Sequence, residues 1–129
     1  MPKELHSTSA VSTTTPRRPR LVVVSDTYLP RWDGVARVLA CTLPRLAETY
    51  DVRLLIPDYA PWHPGAARPS IPGVELVLTR LVPGVALAPG IGLPWLDATV
   101  VQRAVQWSDV CFTHTAGPLG AAVLHFAHE

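Results

Sequence analysis

Residues 21–24 read Leu-Val-Val-Val, and no other stretch constrains the fold so tightly. Four consecutive aliphatic residues, three of them β-branched, fit a strand buried on both faces of a parallel sheet; a half-exposed strand would alternate. This run is expected to be the first and central strand. It gives way to Ser25-Asp26-Thr27-Tyr28-Leu29-Pro30, where Pro30 has no N–H for a ladder bond, and Asp33-Gly34 then supplies a turn. From Val35 onward, Val35, Val38, Leu39, Leu43 and Leu46 recur at helical spacing with Arg37, Arg45 and Glu48 between them, which predicts an amphipathic helix. Pro44 removes one hydrogen bond from that helix and displaces the carbonyl of Ala40, so a kink or an early end is expected.

The rest of the chain continues the alternation. Residues 51–56 form a second strand that stops at Pro57, residues 57–73 a long Pro/Gly loop, and residues 74–79 a third strand. A helix is predicted over residues 94–106, carrying Leu96, Val100, Ala104 and Val105. Residues 109–113 make a fourth strand, and an Ala/Leu-rich helix runs from about Pro118 to the end. Strands alternating with helices define an α/β class with a parallel sheet flanked by helices. Residues 81–96 are the most apolar part outside the strands; they fall short of the roughly 20 residues of a membrane-spanning helix and are broken by Pro and Gly. No internal repeat is evident. Residues 1–19 read as a disordered Ser/Thr/Pro/Arg tail without the apolar core of a secretory signal, which leaves residues 20–129 as the folded domain.

Composition narrows the function. With 48% hydrophobic and 16% charged residues, 129 residues suffice for one domain with a real core, but not for two linked domains. Lys3, Arg17, Arg18 and Arg20 against Glu4 give the first twenty residues +3, which leaves −2 of the total +1 for the body. Such a body has no broad basic face for a nucleic-acid backbone. Lys3 is the sole lysine, so mechanisms that need a buried lysine nucleophile or a phosphate-binding P-loop lysine are excluded. Cys41 and Cys111 lie in apolar stretches without CxxC spacing and read as small buried side chains in a reducing, cytoplasmic compartment.

In an open parallel sheet, ligands lie beyond the carboxyl ends of the strands. Two loops qualify: residues 25–34 after the first strand and residues 114–118 after the fourth. Gly34 has no Cβ and lets a ligand approach the backbone where the next helix presents its positive end, so Gly34 and Val35 are candidate binding positions; Asp33-Gly34 as a plain turn and cap is the competing reading. His114, beside Thr115, is either a cleft imidazole that bonds a sugar or polyol hydroxyl or a packed strand-end histidine. Asp26 is expected to form an Asx-turn with its own backbone, with hydroxyl binding as the alternative. His125, His128 and Glu129 do not form an HExxH pattern, and no metal is expected. Trp32, Trp62 and Trp95 fit loop aromatics that stack on sugars, touch lipid or are merely exposed, and Trp107 fits packing. The turn SDTYLPRWDG lacks GxGxxG glycines, which argues against dinucleotide binding, and a phosphoaspartate switch would lack its lysine.

The run RLVVVSDTYLPRWDGVARVLACTLPRLAETYDVRLLIPD resembles the opening of family 4 glycosyltransferases, in which a strand ends in a D-x-(Y/F)-x-P loop and a G-V pair opens the first helix. Residues 81–95 are similar to that family's apolar Pro-rich segment, and DVCFTHTAGPLG is similar to its histidine-ended strand and small-residue helix start. Resemblance spans roughly residues 20–128. It implies a Rossmann-like sheet that is an incomplete N-terminal domain of a GT-B fold. It also implies a retaining enzyme that moves a sugar from a nucleotide-sugar co-substrate to a lipid, polyol or glycan acceptor, with no further cofactor. By position, Gly34 resembles the glycine that approaches the donor, and His114 the cleft histidine. Val35, Asp33, Asp26 and Thr115 would complete the binding site, although Asp33 stands where the family often has Gly or Asn. The resemblance places the donor site in a second domain, so a downstream C-terminal half is an expected partner; among acceptors, the apolar segment 81–95 leans towards a lipid-linked one with peripheral membrane contact. A non-catalytic sugar- or lipid-binding module, or an inactive fragment, with the same fold is the alternative.

Overall fold

The computed structural model describes residues 17–28, 34–115 and 117–128. Asp33, Leu29, Pro30 and Trp32, and most of the expected tail, lie outside the described residues. The elements are β1 (Arg20–Val24), α1 (Gly34–Leu46), β2 (Asp51–Pro57), a 3₁₀ turn (Ala60–Trp62), β3 (Val74–Thr79), β4 (Leu81–Ala88), β5 (Ile91–Pro94), α2 (Ala98–Trp107), β6 (Val110–Thr113) and α3 (Pro118–Ala127). Four of the strands form one parallel sheet in the order β3-β2-β1-β6, and β4 and β5 form a separate antiparallel ribbon.

The aliphatic run does what its composition demands. Alternate β1 side chains enter opposite cores: Leu21 and Val23 join Ala36, Leu39 and Leu43 of α1 and Val52, Leu54 and Ile56 of β2. Val22 and Val24 join Leu55, Val101 and Ala104 of α2, and Leu119 and Val123 of α3. Burying such an aliphatic side chain stabilises the fold by about 1.5–3 kcal/mol, which fixes β1 in the centre. The chain therefore winds one way from β1 through α1 to β2, and places α2, β6 and α3 on the other side. The strand order reverses between β1 and β6, a topological switch point.

Several boundaries differ from expectation. α1 continues through Pro44 to Leu46 and so ends in the turn that holds the proline, because Leu39 and Leu43 anchor it on the sheet. Pro57 closes β2 as its last residue. α2 begins at Ala98, not at residue 94, because Asp97 caps it, accepting from Thr99 N at 2.9 Å and Val100 N at 3.4 Å. The largest correction is residues 81–94, which form a ribbon where no strand was expected. Four prolines and glycines in β4 and β5 hid the pairing, while Gly84 and Gly90 adopt φ of 72° and 75°, a region that favours glycine. Cys41 is exposed and Cys111 half-buried, against the expectation of two buried thiols, since Cys41 lies on the solvent side of α1.

β6 has one neighbour in the sheet, and its α1-side residues Val110 and Phe112 are half exposed. With Val38 and Tyr50 they line an open apolar groove of about 340 Å³. No described helix is long and apolar enough to cross a membrane.

Candidate functional site

The switch point brings together the two loops singled out above. His114 N donates to Val24 O at 2.8 Å, extending the β1–β6 ladder by one residue, and Ser25 N donates to Leu55 O at 3.1 Å on the other side. Past these bonds the two loops leave the sheet, and the groove that His114 lines beside α1 is the crevice at this edge.

Asp26 ties the crevice together. Its backbone N–H donates to Thr115 Oγ1 at 2.8 Å, and Thr115 Oγ1 donates in turn to Asp26 Oδ2 at 2.7 Å. The same carboxylate accepts from Leu119 N at 2.7 Å and from Gly120 N at 3.4 Å, the first-turn N–H groups of α3. A negative charge at a helix N-terminus, nearly buried and fully bonded, stabilises both loops. The expected Asx-turn is therefore not the role of Asp26: its carboxylate crosses to α3, because the positive end of that helix outcompetes the residue's own loop. Two glycines make this possible. A Cβ at Gly117 would stand 2.5 Å from the Asp26 carboxyl group, and one at Gly120 would collide with Thr115 O. The anion seat of α3 is thus filled from within the chain. Thr115 has likewise used its hydroxyl as both donor and acceptor.

On the other side of the switch point lies α1. Gly34 begins α1, whose first turn has no acidic residue, and a Cβ there would meet nothing within 4 Å. Val35 packs against the α1-side core. His114, half-buried, stacks on Phe112 with centroids 6.0 Å apart and shares the α1-side groove with Val38, one helical turn after Gly34. His114 thus lines the crevice against α1, Gly34 stands at the start of that helix outside the lining, and Asp26 and Thr115 tie the two loops together. Asp33 lies outside the described residues.

Sequence reasoning missed four hydroxyl groups. Tyr59, 1% exposed, donates its hydroxyl to Asp26 O at 3.0 Å and accepts from Gly92 N at 3.2 Å, clamping the β4–β5 ribbon to the crevice. Thr27 Oγ1, Tyr28 OH and Thr79 Oγ1 are buried at the carboxyl edge without a hydrogen-bond partner. Burial alone pushes the Tyr28 phenol pKa up. Such hydroxyls in loops leave no sequence signal, because burial there is set by elements far along the chain. Among the described residues no cluster of three or more His, Cys, Asp or Glu could hold a metal ion.

The fold defines a class: a parallel α/β protein with helices on both sides of its four-stranded sheet and a topological switch point between β1 and β6. No family model, curated protein or solved structure matches the chain.

Proposed function

We propose that the chain forms the acceptor side of a retaining glycosyltransferase of GT-B architecture. One observation carries this reading: His114 extends the β1–β6 ladder at the switch point and lines the groove on the α1 side, while the carboxylate of Asp26 is committed to α3. The imidazole is placed to bond a hydroxyl of the acceptor or the transferred sugar, and Gly34 lets a ligand reach the α1 backbone closely. The three unpartnered hydroxyls at the same edge fit a hydroxyl-rich environment. In the proposed reaction, the acceptor hydroxyl oxygen bonds to the anomeric carbon of the sugar nucleotide, the bond to the diphosphate breaks, and the hydroxyl proton leaves with retention at that carbon. Donor recognition falls to a partner domain in this reading. Asp26 and Thr115 position the loops and do not touch the sugar.

The test uses the 129-residue chain. Titration calorimetry with polyol, glycan and lipid-linked acceptors is expected to find one class that binds, with affinity weakened about tenfold or more by His114→Ala and by Gly34→Trp. Equal affinity in both variants would overturn the crevice assignment. Sugar transfer when a donor domain is added would support the transferase. Binding with no transfer under any pairing would leave the chain a binding module.

A further inference from the structure

We propose that the β4–β5 ribbon is a docking finger that seats the carboxyl edge of the sheet on an anionic lipid bilayer. Residues 81–96 contain only Leu, Val, Ile, Ala, Pro, Gly and Trp, so the indole N–H of Trp95 is their sole side-chain hydrogen-bonding group. Four of the eight large hydrophobic side chains exposed among the described residues cluster here: Val85, Leu87, Trp95 and Leu96, with Leu87 and Trp95 each about half exposed. An exposed apolar patch of this kind marks an interaction surface.

Three properties select a bilayer as the occupant. First, the ribbon offers nothing for a polar rim, whereas protein interfaces carry regular side-chain hydrogen bonds around their apolar centres. A lipid interface requires no such rim, and it favours a tryptophan with an apolar body and one polar tip. Second, an exposed guanidinium stands at the base, where it can pair with an anionic head group. Arg80 is exposed and has no ion pair among the described residues. The nearest acids are already engaged: Asp58 with Arg68 at 2.9 Å, and Asp97 with the first turn of α2. Third, the ribbon is held rigidly. Trp95 N donates to Arg80 O at 2.6 Å across its base, Leu81 pairs with Pro94, and a Cβ on Gly92 would lie 2.8 Å from Leu81 and 3.0 Å from Trp62. A rigid finger loses little entropy on docking. A two-stranded ribbon keeps unpaired edge groups, so it lies in the head-group region and does not span the hydrocarbon.

The Tyr59 hydroxyl bonds both Gly92 N in the ribbon and Asp26 O at the switch point, so docking brings the crevice to the membrane surface. The corollary, which rests on the function proposed above, is that the acceptor hydroxyl belongs to a lipid.

Vesicle co-sedimentation of the 129-residue chain tests the docking without any sugar. Binding is expected to vesicles of phosphatidylcholine mixed with phosphatidylglycerol, and more weakly to phosphatidylcholine alone. Leu87→Asp combined with Trp95→Ser should lower the partition coefficient about tenfold or more. Arg80→Ala should remove most of the preference for phosphatidylglycerol while leaving binding to phosphatidylcholine unchanged. Circular dichroism melts check that these exposed substitutions leave the fold intact. In the unsubstituted chain, brominated acyl chains should quench a component of tryptophan fluorescence that disappears in Trp95→Phe. Absence of binding to both vesicle types, or binding that the double variant does not change, overturns the proposal; so does self-association through the ribbon without vesicle binding. Docking with no acceptor binding would sink the functional reading and leave the finger standing.

Discussion

The two edges of the parallel sheet are built from different chemistry. At the amino edge, charged groups meet in solvent: Arg17 bonds Asp109 at 2.9 Å, Arg18 Nη2 donates to Ala47 O at 2.6 Å, Arg53 bonds Glu75 at 3.0 Å, and Arg53 lies 4.1 Å from the Trp107 ring centroid. At the carboxyl edge, a few polar groups are buried and shared among loops: Asp26, Thr115 and Tyr59 join three segments through short hydrogen bonds. Exposed pairs are screened and exchange readily with water, while a buried acceptor with several donors leaves each of them stranded when it is removed. The difference teaches where the chain is held in one shape: the edge that carries the crevice is also the edge whose geometry depends on single atoms.

The strongest way to break this contrast is Asp26→Ala, which strands the N–H groups of Leu119 and Gly120 and the Thr115 hydroxyl. It should cost about 3 kcal/mol or more in urea unfolding, and Asp26→Asn, which keeps one acceptor oxygen, should cost clearly less. A loss below that of any amino-edge substitution would end the comparison. Gly117→Ala comes next, since its methyl must displace a carboxylate that is held on three sides; about 1–3 kcal/mol is expected from the same measurement.

Two tyrosines sharpen the contrast within one edge. Tyr59→Phe removes both bonds that clamp the ribbon and should cost about 1–2 kcal/mol, with faster amide exchange at Gly92. Tyr28→Phe deletes a buried hydroxyl without a partner, so stability should hold or rise by up to about 1 kcal/mol. Equal losses in the two variants would show that the Tyr59 clamp contributes nothing.

The smallest effect belongs to the amino edge. The Arg17 guanidinium, with help from Arg20 N–H, holds the Asp109 carboxyl down at about 2 from its ordinary 3.8. A carboxylate with a depressed folded pKa contributes stability above its unfolded value and loses it as the pH falls through the folded one. Thermal melts should therefore drop slightly between pH 3.8 and about 2, and Arg17→Ala should remove that part of the drop with little effect at pH 7.

Much of the fold was legible in the sequence, because strand and helix signals arise from neighbours a few residues apart. The run at residues 21–24 announced a central strand, and the spacing of Leu39, Leu43 and Leu46 announced the helix that covers it. The ribbon was not legible: prolines and glycines that exclude a central strand are tolerated in an isolated two-stranded one, and period-2 reasoning has nothing to grip. The candidate site was legible only in part. Gly34 and His114 stand out by position beside strand ends, whereas Tyr59 is an unremarked loop residue until the fold carries Gly92 to its hydroxyl.

By itself, then, the sequence determined the strand–helix alternation outside the ribbon, the central strand and the two loops at its carboxyl edge, since all of these follow from local periodicity and turn chemistry. Tertiary structure alone decided what Asp26 does. A carboxylate two residues past the end of its strand has several partners within reach of its own backbone, and the positive end of a helix more than ninety residues later outbids them only once β6 lies beside β1. That pairing closes the terminus of α3 with the chain's own charge.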